Sequence, residues 1–159
     1  MRPKIRKYFH LVFLILLLAI GCESSSESSS ESFVYSEEGI AVAGYDLVAF
    51  VMDNEAMMGK AENKIRYKEV DFYFTRPSYR DEFLQHPDQY LPAYGGWCAY
   101  EVALNSKRVA SDPTLWIIQD GQLLFFSKGT DEIDRNKAEW VVKRRQLKEQ
   151  ADANWKGMN

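Results

Sequence analysis

Two cysteines and two histidines are all that 159 residues hold of the side chains most used for soft-metal binding and nucleophilic catalysis. They are Cys22, Cys98, His10 and His86. A structural zinc site wants several Cys or His ligands, and a hard cation wants clustered carboxylates; neither cluster occurs. Cys–His catalysis needs a base within hydrogen-bond reach of the sulfur. The only histidine past the leader, His86, stands before Pro87 and reads as an exposed turn residue, which argues against hydrolase chemistry. No long block of basic residues interrupts the chain after residue 21, and no internal repeat is visible. The formal charge is −3, but Arg2, Lys4, Arg6 and Lys7 precede any acid. Without residues 1–21, 16 basic residues stand against 23 acidic ones. That balance excludes a general nucleic-acid binder, which needs a basic face.

Apolar residues are plentiful. They make up 46% of the chain, aromatic ones 14%, so a real core can be buried and disorder of the whole chain is excluded. The length leaves room for one domain of ordinary size.

Residues 1–21 read as an export leader: four cations, an apolar run from Leu11 to Ile20, then Gly21. The run is shorter than the about 20 apolar residues of a membrane span. Leu18-Ala19-Ile20-Gly21-Cys22 is similar to a bacterial lipobox, in which cleavage falls before a cysteine that is first diacylated. The other reading is a plain secretory signal with an incidental cysteine. Residues 23–32, only serine and glutamate, read as a flexible tether that stands a globular body off from a membrane. Stretched, ten residues reach about 35 Å. Residues 1–21, 22–32 and 33–159 are therefore expected as leader, tether with lipidated Cys22, and folded body, of an exported, membrane-anchored protein.

Within the body, Ile40 and Val42 begin an apolar stretch that turns at Gly44, and Asp46 is placed to cap a short helix. Asp53 to Asn63 reads as a polar loop carrying Met57 and Met58. Lys64–Tyr67 and Val70–Thr75 read as strands joined by Lys68-Glu69, residues that take positive φ only at a cost. Thr75 is placed as the cap of a helix in which Tyr79 and Phe83 share a face. Asp120-Gly121 between two apolar runs, Leu115–Gln119 and Gln122–Phe126, is the strongest hairpin signal. One long helix is expected from about Asn136 to Trp155, with Trp140, Leu147, Ala151 and Trp155 on one face. Strands and helices without βαβ alternation predict a small, single α+β domain of short antiparallel hairpins with a long C-terminal helix.

The distinctive stretch is Tyr94-Gly95-Gly96-Trp97-Cys98-Ala99-Tyr100, the body's only cysteine between paired glycines and aromatic rings. It resembles the Y-G-G-Y-C-A-Y of the YHS-domain family. Gly44-Tyr45-Asp46-Leu47-Val48-Ala49-Phe50 resembles that family's G-Y-D-P-V-A-Y opening. Tyr73-Phe74-Thr75 stands where the family has its naming triplet, and Ala151-Asp152-Ala153-Asn154-Trp155 resembles its closing A-D-A-N-W. The resemblance, to the exported single-domain branch, implies a small α+β domain and metal handling. Yet Ala49, Thr75 and Tyr79 stand where metal-holding relatives have cysteines, so that metal site does not carry over.

Several roles stay open for the stretch. Cys98 is a small buried hydrophobe, a ligand contact or a reactive thiol, its sulfur lying in the first turn of any helix that begins near Gly96. With Met57 or Met58 it would suit a soft ion such as copper. Tyr45, Asp46, Tyr94, Trp97 and Tyr100 either line an aromatic ligand pocket with one carboxylate or form the core itself. Asp152 and Asn154 are expected to fix the last helix by hydrogen bonds. Three functions follow: a lipid-anchored, non-catalytic binding domain for a small ligand or soft metal; a redox protein acting through Cys98; or a module that meets another envelope protein.

Overall fold

Two hairpins organise the chain, and both turn through left-handed residues. In the computed structural model, which describes residues 34–129 and 134–158, Lys68 and Glu69 have φ of 46° and 67°, Asp120 and Gly121 of 52° and 75°. Such paired positive φ values match the right-handed twist of the flanking strands. The first turn joins β3 (Lys60–Tyr67) to β4 (Val70–Phe74), the second β5 (Asp112–Gln119) to β6 (Gln122–Phe126). Short strands β1 (Ser36–Glu37) and β2 (Ile40–Ala41) complete the first sheet in the order β1-β2-β4-β3. The β2–β4 pairing is parallel; the others are antiparallel. Residues 1–33, on which the expected leader, lipidated Cys22 and tether fall, lie outside the described residues.

The helices are α1 (Leu47–Met52), α2 (Pro77–Gln85), α3 (Pro87–Tyr90), α4 (Ala99–Asn105), α5 (Arg135–Val142) and α6 (Arg144–Met158). The domain is α+β with a long last helix, as expected. Three boundaries differ from the sequence reading. β3 begins at Lys60, so Lys60–Asn63 is strand and not loop: its side chains are mostly exposed, which hides the apolar alternation a strand normally shows. The long helix is two, broken at Lys143 (φ −112°, ψ 23°) without a proline or glycine to announce it. Arg76, not Thr75, occupies the cap of α2, and no side chain bonds there.

Thr75 instead serves Asp46. The Asp46 carboxylate is fully buried and accepts from the amides of Val48 (2.9 Å) and Ala49 (3.2 Å), capping α1. Its other oxygen accepts from the Thr75 amide (2.7 Å) and hydroxyl (2.8 Å). One side chain therefore ties α1 to the end of β4.

Strand β6 partitions the apolar interior. Period-two alternation sends Leu123 and Phe125 into a cluster with Phe50, Phe72, Phe74 and Phe83. Leu124 and Phe126 go to the other face, with Cys98, Val102, Trp140 and Leu147. All four side chains are buried, so β6 is covered on both sides.

Replacing Asp46 with Ala leaves four donors without their acceptor, two of them on buried residues. Chemical denaturation is expected to show a loss of about 3 kcal/mol; a loss under about 1 kcal/mol would contradict the role given to this carboxylate.

Candidate functional site

The stretch from Tyr94 to Cys98 is shaped by three successive left-handed residues, Tyr94 (φ 55°), Gly95 (61°) and Gly96 (83°). A non-glycine residue in that region is uncommon, and here Tyr94 is held by what surrounds it. The Gly95 carbonyl accepts from the Tyr35 amide (2.7 Å), and the Gly96 carbonyl from the buried Ser111 hydroxyl (2.7 Å). A Cβ on Gly96 would lie 3.2 Å from Pro92 Cγ. Beyond the turn the backbone of Cys98 pairs with Phe125 of β6, and its amide donates to the Val109 carbonyl (3.0 Å).

This seats the Cys98 side chain at 0% exposure just ahead of α4, which begins at Ala99 rather than near Gly96. The sulfur is sealed but not surrounded by carbon alone. The Ser127 hydroxyl donates to Sγ at 3.2 Å, and the Asn136 amide donates to the Ser127 oxygen at 2.9 Å and lies 3.9 Å from Sγ. Both polar residues also line a cavity of about 560 Å³. Tyr100, Glu139, Arg135 and Lys107 contribute to its walls. The Tyr100 hydroxyl donates to Glu139 Oε2 (3.2 Å) across the space between α4 and α5. The cavity thus offers carboxylates, cations, a hydroxyl and an amide over a floor whose underside is the thiol.

The six side chains anticipated for the site do not converge. Cys98 and Tyr100 flank this cavity's floor and wall. Tyr94 turns the other way: its ring packs on Trp155 and its hydroxyl donates to Asp152 Oδ1 (2.8 Å), a carboxylate that also accepts from Lys148 at both oxygens (2.8 and 2.7 Å). Tyr94 and Asp152 border a separate, smaller cavity of about 300 Å³. Trp97 packs tilted against Tyr35, ring centres 4.8 Å apart, and its buried indole N–H has no partner among the described residues. Tyr45 packs against the first cluster, and Asp46, saturated by its four donors, is a structural carboxylate with no lone pair to spare for a ligand.

The soft-metal arrangement does not assemble either. Met57 packs on the first cluster and Met58 is exposed, whereas Cys98 belongs to the second cluster and has a hydroxyl and an amide as polar neighbours. These are not the thioether donors that Cu(I) prefers. Among the described residues no three of His, Cys, Asp and Glu are grouped to hold a metal ion. Asp152 and Asn154 do fix the last helix, Asn154 donating to the Val102 (2.9 Å) and Ala103 (2.8 Å) carbonyls of α4.

Ser127, Asn136 and Glu139 were not anticipated. They lie 29 to 41 positions beyond Cys98 in polar sequence with no motif, and only the fold brings them together.

Tyrosine–carboxylate pairing recurs across the domain. Besides Tyr94–Asp152 and Tyr100–Glu139, Tyr79 donates to Asp53 (2.6 Å), Tyr90 to Glu82 (2.9 Å) and Tyr35 to Glu37. Burial first, and then the adjacent carboxylate, pushes Tyr35 and Tyr90 up to about 12 and Tyr94 higher still. Tyr100 is raised by burial and Glu139, and Tyr79 chiefly by its bond to Asp53. Each phenol holds its proton more tightly folded than unfolded. The stability this gives is complete below pH about 10 and is lost as pH climbs through the folded values. An absorbance titration is therefore expected to leave several tyrosines protonated at pH 11 in the folded protein, with unfolding above it. Ionisation of the whole set near pH 10, without unfolding, would contradict the pairing.

Compared with protein-family models, curated proteins and solved structures, the chain finds no match.

Proposed function

We propose that this chain is a lipid-anchored, non-catalytic binding domain of YHS type, held on the bacterial cell envelope through Cys22 and the 23–32 tether. Its ligand is a small polar molecule taken up in the cavity beside Tyr100. The observation that carries this reading is the double use of Ser127 and Asn136. Both line the cavity, and both hydrogen-bond inward to the sealed Cys98 sulfur. A cavity of about 560 Å³ is within the range of small-molecule sites. Its walls hold charges of both signs, Glu101 and Glu139 with Lys107 and Arg135. That favours a molecule carrying both a cationic and an anionic or hydrogen-bonding group over an apolar one. The family resemblance of the Tyr94–Tyr100, Gly44–Phe50 and Ala151–Trp155 segments supports the YHS assignment, and the leader and tether support the location.

Cys98 acts in this reading as a fixed part of the floor. A thiol at zero exposure has no approach for a disulfide or an oxidant, so the redox alternative has less in its favour.

The test is amide chemical-shift mapping of the protein against a cell-envelope extract filtered to small molecules. Shifts concentrated at Tyr100, Ser127 and Asn136, and lost on Glu139→Ala, are expected. Shifts scattered over the surface, or unchanged by that substitution, would contradict the site.

A further inference from the structure

The break between α5 and α6 presents Val141-Val142-Lys143-Arg144-Arg145 to solvent. Val142 is 82% exposed and Val141 40%, beside three consecutive cations. From Val141 to Lys148 there are four cations and no acid, in a body of negative net charge. Three adjacent cations are few against the acidic whole, so composition alone does not mark the run.

The segment is not a frayed end. Trp140, fully buried, donates its indole N–H to Gln119 Oε1 at 3.0 Å, and Leu147, seven positions on, is buried as well. The Lys143 amide donates to both the Glu139 and Trp140 carbonyls (3.1 Å each), and its own carbonyl accepts from Leu147 (3.0 Å). Anchors on both sides thus hold the valines outward. Lys143 makes a loose pair with Glu139 (3.6 Å) and Lys148 a close one with Asp152 (2.7 Å). Among the described residues Arg144 and Arg145 have no ion-pair partner. They border a cleft of about 420 Å³ together with Asp120 and Glu149.

We propose that this break is a membrane-docking face: Val141 and Val142 enter the headgroup layer of an anionic phospholipid bilayer, and Lys143, Arg144 and Arg145 neutralise its phosphates. The proposal rests in part on the anchored reading given above. Apolar side chains ringed by Lys and Arg are the composition that binds an anionic lipid surface. Electrostatic attraction to such a surface fades within about 8 Å at physiological salt. With residues 23–32 as the tether proposed above, about 35 Å long when stretched, the patch decides which face of the body meets the lipid. Docking therefore sets orientation more than retention.

The test uses the full, processed chain carrying Val142→Cys, labelled with an environment-sensitive fluorophore; Cys98 is too buried to compete for label. Proteoliposomes of pure phosphatidylcholine are compared with ones containing phosphatidylglycerol. The expected result is an emission rise of at least threefold on the anionic vesicles alone. It should vanish with Lys143→Glu, Arg144→Glu and Arg145→Glu together, and survive Arg144→Lys with Arg145→Lys. A label at Met52→Cys, another exposed apolar position, should not respond. Equal response on both vesicles or at both positions would overturn the proposal. So would a response confined to native membranes containing proteins, which would make the partner a protein. Mass measurement of the N-terminal peptide in the same samples reports acylation of Cys22. A response at Val142→Cys in a chain lacking the acyl groups would sustain the patch and refute the anchor.

Discussion

Strand β6 has no exposed side chain between Leu123 and Phe126, and the rest of the domain is built on that covering. Its odd residues close the cluster under the first sheet, and its even residues close the one under α4 and α5. Burial of each such side chain is worth about 2 kcal/mol, so the four together rival the whole net stability of an ordinary domain. Neither cluster can loosen without disturbing the other. The Tyr94–Cys98 segment lies along the same strand through the Cys98–Phe125 pairing, which is why an irregular stretch with three left-handed residues stays fixed.

That fixity is what the cavity beside Tyr100 uses. Its floor is the hydroxyl and amide of Ser127 and Asn136, one just past β6 and the other at the start of α5, clamped against a sulfur that cannot move. Its wall is the Tyr100–Glu139 bond between two helices. The other tyrosine–carboxylate pairs do the same for neighbouring elements: Tyr94 holds α6 to the glycine turn, and Tyr79 holds α2 to the end of α1. In each case a ring supplies buried apolar area while its hydroxyl is satisfied at the edge of the core.

Much of the frame was legible in the sequence. Asp120-Gly121 announces its hairpin because those residues tolerate positive φ, and Lys68-Glu69 adopts the same turn because the flanking strands impose it. Asp46 reads correctly as a helix cap, though its bonds to Thr75 across 29 positions have no local signature. The apolar run of β6 does not tell which residues face which cluster, since a strand buried on both faces loses its alternation. The break at Lys143 has no residue that demands it. The site was half visible: glycines, rings and a lone thiol marked the segment, but nothing pointed to Ser127, Asn136 or Glu139. Polar residues acquire a role there only through packing. For the same reason Tyr45 packs against the first cluster, away from Cys98, and the neighbouring Asp46 is spent on the amides of α1 and on Thr75.

The Cys98 sulfur is sealed by a glycine turn locked against β6. Gly96 and Gly121 both have positive φ (83° and 75°), but only Gly96 has neighbours that an added Cβ would meet. The direct measurement is the rate at which a charged reagent alkylates Cys98, read by peptide mass, in the native chain, Gly96→Ala and Gly121→Ala. Backbone strain alone costs about 1 kcal/mol in either variant, with about 1 to 2 kcal/mol more for crowding at Gly96. Cys98 should react only as fast as the domain opens, at least fivefold faster in Gly96→Ala than in Gly121→Ala. Rapid alkylation of the native chain, or equal rates in the two variants, would contradict it.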